Sequence, residues 1–175
     1  MSDPDRNRRR MARLMTHLTW VVILAMLTLY FNNYLDHQEN PNASLALMSG
    51  SEPEVVLQRN KSGHYLAPGE INGERVRFLL DTGATTVSIP EALADRLGLE
   101  RGRPLRSMTA NGIVTVYQTS LDTVTLGGIR MHDVDAAINP GMHEGIVLLG
   151  MSFMEHLELT QRQGTLTLRV PDSAR

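Results

Sequence analysis

The sequence has no cysteine. Disulfide staples, thiolate zinc sites, iron–sulfur clusters and a cysteine nucleophile are therefore excluded. Aromatic residues are scarce, at 5% of 175 positions, and neither sign of charge dominates, the net being −2. A broad basic face for nucleic acid is not expected. The sequence has neither a phosphate-binding loop nor a dinucleotide fingerprint. His143-Glu144 does not continue to a second histidine at zincin spacing. The six histidines (His17, His37, His64, His132, His143, His156) are scattered, so no metal and no cofactor is implied. His132, Asp133 and Asp135 could form a weak cation site but read better as turn caps, and Arg101, Arg103 and Arg106 read as a solvated loop. Gly150-Met151-Ser152-Phe153-Met154 opens like a nucleophile elbow but lacks its closing glycine. What is present is a globular balance of 42% hydrophobic and 21% charged residues, enough for one domain plus an appendage.

The appendage lies at the amino end. Residues 1–17 hold five arginines (Arg6, Arg8, Arg9, Arg10, Arg13) against Asp3 and Asp5. An uncharged run, Leu18–Phe31, follows directly. Met15–Leu35 can form one helix about 31 Å long, close to the thickness of a bilayer's hydrocarbon core. Trp20 lies near one end and Tyr30, Phe31 and Tyr34 near the other, as interfacial aromatics do. The arginines precede the span, while Asp36 and Glu39 follow it. The positive-inside bias thus predicts a cytoplasmic basic tail over 1–14 and a single-pass signal anchor in the inner (plasma) membrane over 15–35. The rest would lie outside the cytoplasm, in the periplasm or its equivalent. A cleaved signal peptide is the competing reading, but the nearest small-residue pattern, Ala43–Ala46, lies far beyond the apolar run. Residues 36–60, with Asn40-Pro41-Asn42, Ser49-Gly50-Ser51 and Glu52-Pro53, read as a flexible linker. Asn42-Ala43-Ser44 matches a glycosylation acceptor.

From 61 to 172 the signals are those of strands. Val76, Phe78 and Leu80 alternate along Glu74–Leu80, and Asn72-Gly73 joins that run to His64–Ile71 as a hairpin. Thr86–Ile89 reads as a strand and Pro90–Leu97 as a helix stopped by Gly98. Leu105–Thr109 and Ile113–Thr119 flank a tip, Ala110-Asn111-Gly112. Val124–Leu126, Ile129–Met131, Val134–Ile138 and Ile146–Leu149 follow, then a short helix within Gly150–Glu155. Leu157–Thr160 and Thr165–Val170 close the domain around Gln163-Gly164. Many short strands with regular turns predict a closed or sandwiched all-β domain.

The segment that carries chemistry is Phe78–Ala84, in which Asp81-Thr82-Gly83 follows an apolar strand. A carboxylate there is desolvated unless the turn's N–H groups and hydroxyl hold it. Alone, the tripeptide is as well explained by an Asx turn. With GHYLAPGEING, FLLDTGATTVSIP, TANG and LLGMSFM in that order, the chain resembles the retropepsin-like aspartic proteases, and behind its anchor it is similar to the bacterial membrane-anchored members.

That resemblance implies a half-barrel with a flap hairpin and one or two short helices, and an aspartic endopeptidase acting on polypeptide. Asp81 would be the catalytic carboxylate, Thr82 a brace across the dimer axis, Gly83 the point of close backbone approach and Ala84 the position after it. Thr109, Ala110, Asn111 and Gly112 would form the flap tip. Leu148, Leu149 and Gly150 would support the loop. The aspartic mechanism needs two carboxylates, because one must be ionised while the other keeps a proton. Asp122-Thr123-Val124 and Asp172-Ser173-Ala174 both lack the glycine, so only Asp81 qualifies. A homodimer is therefore expected, held in part by Thr165–Val170, with an optimum at mildly acidic to near-neutral pH. The alternative is a non-catalytic module of the same fold that binds peptides or assembles partners at the membrane. The anchor has its own test: the full chain should stay in the membrane pellet through alkaline carbonate extraction. A soluble product beginning near residue 47 would show a cleaved leader instead.

Overall fold

Two-residue turns and apolar alternation place most of the strands. The computed structural model describes residues 4–47, 54–109, 112–143 and 145–171. Strand β2 (Leu66–Ile71) runs antiparallel to β3 (Glu74–Leu80), with Ile71 opposite Glu74. Asn72 and Gly73 between them have φ of 51° and 83°. Both values are positive, as the turn matched to strand twist requires, and Asn and Gly tolerate this best. Strand β4 (Val87–Pro90) feeds helix α2 (Glu91–Arg96), which buries Leu93 and Ala94. Arg101 pins that helix, 2.7 Å from Glu91 and 3.3 Å from Asp95, with its guanidinium 5.6 Å from the Tyr117 ring centre. The expected solvated loop thus has one structural cation in it.

The next strands are longer than the sequence suggests. Strand β5 (Pro104–Thr109) pairs with the first half of β6 (Gly112–Leu126), whose second half pairs with β7 (Ile129–Asn139). Polar residues such as Thr119, Ser120 and His132 look like strand breaks in one dimension. They continue the ladder because each has a partner across it. Strand β8 (Val147–Leu149), helix α3 (Met151–Met154), β9 (Glu158–Arg162) and β10 (Thr165–Arg169) complete the domain.

Strands β2, β3, β8, β4, β7 and β6 follow one another in hydrogen-bonded order. Glu70 and Ile71 of β2 then pair with Thr125 and Val124 of β6, which closes the ring. Phe78, Ile89, Leu121, Ile138, Leu149 and Phe153 fill it, each wholly buried. This is the expected all-β half-barrel with short helices.

Three expectations change. The linker predicted over 36–60 is largely structured. Strand β1 (Glu54–Gln58) pairs with β10 and drives Val55 and Leu57 into the core. Its alternation is only five residues long and follows Pro53, which hides it in the sequence. Asn42, the glycosylation candidate, is buried. Its Nδ2 donates to the carbonyls of Gln58 (2.9 Å) and Leu66 (2.7 Å), and its Oδ1 accepts from the Gln58 N–H (2.7 Å). The domain therefore begins well before residue 61. Finally, β10 is the middle strand of the small sheet β1-β10-β9, so both its edges are already paired within the chain. The closing strand predicted over Thr165–Val170 has no edge to lend to a dimer.

The chain divides into two compact units, Met1–Gln38 and Glu39–Arg175. Helix α1 (Pro4–Glu39) is continuous, so the predicted tail is helical from Pro4 onward. Within it Met11–Leu35 has mean hydropathy 1.8 over a window with nothing buried against protein, and is long and apolar enough to cross a membrane.

Asn42→Ala should lower stability by about 1–3 kcal/mol for each backbone group it leaves unsatisfied. Asn42→Asp should do no better, because a carboxylate has no N–H for two carbonyls. Urea unfolding of the full chain measures both, and a midpoint unchanged in either variant would contradict this role.

Candidate active site

Strand β3 ends in the apolar run Phe78–Leu80, in the barrel wall, and stops at the half-buried Asp81. The peptide N–H of Asp81 donates to the Leu149 carbonyl (3.1 Å), and that of Leu80 donates to the Tyr65 carbonyl (3.0 Å). The chain then turns sharply. Ala84 N–H donates to the Asp81 carbonyl (3.2 Å), and Gly83 N–H donates to the Asp81 carboxylate at Oδ1 (2.9 Å). This bond holds the carboxylate over its own turn. Asp81 and Ala84 are half-buried, while Thr82 and Gly83 are exposed.

Strand β8 is the support. It lies between β3 and β4, parallel to β3 with Leu79 opposite Leu148 and Leu80 opposite Leu149, and antiparallel to β4 through Ser88 and Leu148. Gly150 comes next. A methyl there would overlap the carbonyl oxygens of Thr86 and Ala84, the latter at 2.7 Å. Only glycine lets the two backbones approach so closely. Met151 N–H then donates to the Ala84 carbonyl (2.8 Å), and Ser152 N–H to the Thr85 carbonyl (2.9 Å). Leu148, Leu149 and Gly150 thus meet the 81–84 loop.

Ser152 is a residue that sequence reasoning missed. Its hydroxyl donates to the Asp135 carbonyl (2.7 Å) and accepts from the Val87 N–H (3.1 Å), joining β4 and β7 behind the loop. The sequence signal was present, but as the start of a failed nucleophile elbow. With both lone-pair and proton engaged by backbone, this hydroxyl is structural. Ser88 Oγ lies 3.2 Å from the Met142 sulfur, and buried Asn139 accepts the Gly141 N–H (2.9 Å). Together they order the turn after β7.

The residues expected to form a flap tip sit apart in the chain. Thr109 faces Gly112 across the β5–β6 hairpin, and the Thr109 hydroxyl donates to the Gly112 carbonyl (2.8 Å). Ala110 and Asn111 lie outside the described residues. Met108 and Ile113, opposite one another just below it, are 85% and 59% exposed, which is unusual for large apolar side chains without a partner. Among the described residues no group of His, Cys, Asp and Glu is gathered as metal ligands would be.

Residues 67–156 match the family described as gag-polyprotein putative aspartyl protease. A crystal structure of a retropepsin-like aspartic protease from Rickettsia conorii superposes with a TM-score of 0.57 at 26% identity, covering 67% of this chain and 90% of that one. Two uncharacterized proteins are also similar. One, from Sinorhizobium, is encoded in the cobV 5′ region and is 30% identical over 131 residues, 73% of this chain and 56% of its own length. The other, from Rickettsia prowazekii (strain Madrid E), is 26% identical over 108 residues, 60% of this chain and 46% of its own length. The chain spans about half the length of these curated relatives. Its barrel and its Asp-Thr-Gly turn both fall within the matched segment, and the chain belongs to the retropepsin-like aspartic protease family.

Proposed function

We propose that the protein is an aspartic endopeptidase, anchored in the membrane and active as a homodimer. The observation that carries this reading is the Asp81-Thr82-Gly83 turn. It is intact, reaches solvent at the barrel's end, and is braced by β8 and Gly150. The Gly83 bond to the carboxylate would also suit an Asx turn; the bracing by β8 and Gly150 and the family match are what favour catalysis. Protease-type chemistry fits the family and the fold.

In the proposed reaction, the two Asp81 carboxylates share one proton across the dimer axis. The ionised one takes a proton from a water held between them. The water oxygen attacks the scissile carbonyl while the protonated carboxyl donates to its oxygen. Collapse of the tetrahedral intermediate returns the electron pair to the carbon–oxygen bond and expels the amine, which takes up a proton. Like charges about 3 Å apart do not both ionise readily, so a shared proton is the stable state of such a pair. Thr82, exposed at the turn, would brace the two loops against each other. The β5–β6 hairpin ending at Thr109–Gly112 would cover an extended peptide, with Met108 and Ile113 against its side chains. In this reading residues 1–14 are the cytoplasmic tail, 15–35 the bilayer span, and the half-barrel lies on the extracytoplasmic side. The domain follows the span after a short stretch, and the rate optimum lies at mildly acidic to near-neutral pH.

Asp81→Asn should lower peptide cleavage by about 10²–10⁴-fold or more, the share a positioned acid or base contributes. Digestion of a mixed peptide library by the full chain in detergent measures it. Cleavage that survives the substitution, or identical blank maps for both chains, would reject the reading. Mixing wild type and Asp81→Asn in equal amounts, with subunits exchanging, should leave about a quarter of the wild-type activity if each site takes one aspartate from each chain. A chain acting alone would leave about a half.

A further inference from the structure

The small sheet has two outer edges, and they are treated differently. On β1 the N–H and carbonyl of Gln58 are both taken by the Asn42 side chain, so one end of that edge is capped. On β9 all five residues, Glu158 to Arg162, are exposed, and among the described residues no strand lies beyond. A bare edge is a ready template for another strand.

Hairpin geometry says which groups are free. Arg162 faces Thr165 across the two-residue turn Gln163-Gly164, whose φ values are 47° and 82°. In such a hairpin the closing pair is hydrogen-bonded and bonding alternates along the ladder. Glu158, Thr160 and Arg162 therefore turn their backbone groups inward to β10. Leu159 and Gln161 turn theirs outward, to the bare edge.

The sequence of this edge is complementary to itself. Laid antiparallel against a copy about Thr160, Leu159 faces Gln161 of the second copy, and the outward-turned groups meet as hydrogen-bonded pairs. Glu158 then faces Arg162 of the second copy, twice, in the closer non-hydrogen-bonded positions where side chains interact most. Neither Glu158 nor Arg162 has an ion-pair partner among the described residues. Leu159 lies on the same face as buried Leu168 and is 37% exposed, so the core face of the sheet already extends to this edge.

We infer that β9 is the dimer contact: two copies join their β9 strands antiparallel about Thr160 into one six-stranded sheet. The inference rests on the homodimer reading above and names the surface that serves it. The two-fold axis is perpendicular to the sheet, so both barrels pack on the same side of it. Two barrels on one side of a common sheet is a condition that a carboxylate pair shared between copies has to meet.

The full chain in detergent, weighed by light scattering, tests this without reference to catalysis. Glu158→Arg puts arginine against arginine in its own dimer, and Arg162→Glu puts glutamate against glutamate, so each alone should run as one copy per particle. Mixed together they restore both opposite-charge pairs and should run as two copies, which also shows that each is folded. Gln161→Pro should give one copy as well, since it removes only an outward N–H and leaves the hairpin intact. Because the protein has no cysteine, Thr160→Cys should cross-link to a dimer under mild oxidation, the Cα atoms of such a pair lying about 4.5 Å apart. Single charge variants that remain dimers, or a mixture that stays monomeric, would overturn the assignment. A mixture that recovers mass but no peptidase activity would uphold the contact and reject the enzymatic reading.

Discussion

Strand β8 passes between β3 and β4, and the site depends on that passage. Three residues, Val147 to Leu149, bridge two strands that are otherwise apart. They close the barrel and support the turn that carries Asp81. Gly150 makes the fit possible by letting its backbone lie against the carbonyls of Ala84 and Thr86. The result is a carboxylate whose position is set by backbone hydrogen bonds rather than by flexible side chains. Backbone support of this kind resists distortion, because it is part of the ladders that hold the barrel together.

In the proposed reading, one chain supplies half of the site. One turn of this kind is present, and the chemistry of a shared proton calls for two carboxylates. Symmetry is the simplest source of the second, since a two-fold contact uses the same surface twice. The small sheet shows a matching asymmetry. A buried asparagine takes the outward groups of Gln58 at one end of its β1 edge, while its β9 edge is unpaired among the described residues, with opposite charges at its two ends. A membrane span would favour such pairing further, by confining the copies to a plane and raising their effective concentration.

Much of the fold was legible in the residues because the signals were local. Asn72-Gly73 and Gln163-Gly164 announce two-residue hairpins, and Pro90 and Gly98 bracket α2. The stretch from Met15 to Leu35 needs no partner to be read as a candidate span, since its length and apolar composition are local features. Asp81, Gly83 and the Leu148–Gly150 strand were legible as a set, through motif and order. Strand β1 was not, because five alternating residues after a proline carry little signal until β10 is beside them. Ser152 was visible only as a broken motif, and its bonds to Val87 and Asp135 involve residues 65 and 17 positions away.

The sequence by itself determined the classes of element, the apolar helix and the single Asp-Thr-Gly turn, because periodicity, turn chemistry and tripeptide motifs act over a few neighbouring residues. Only the tertiary structure decided that Asn42 belongs to the domain, that β10 is interior while β9 is bare, and that Arg101 clamps a helix. Each of these depends on which backbone groups find partners across long stretches of chain. A hydrogen-bonding group is satisfied or free only once the fold has chosen its neighbours.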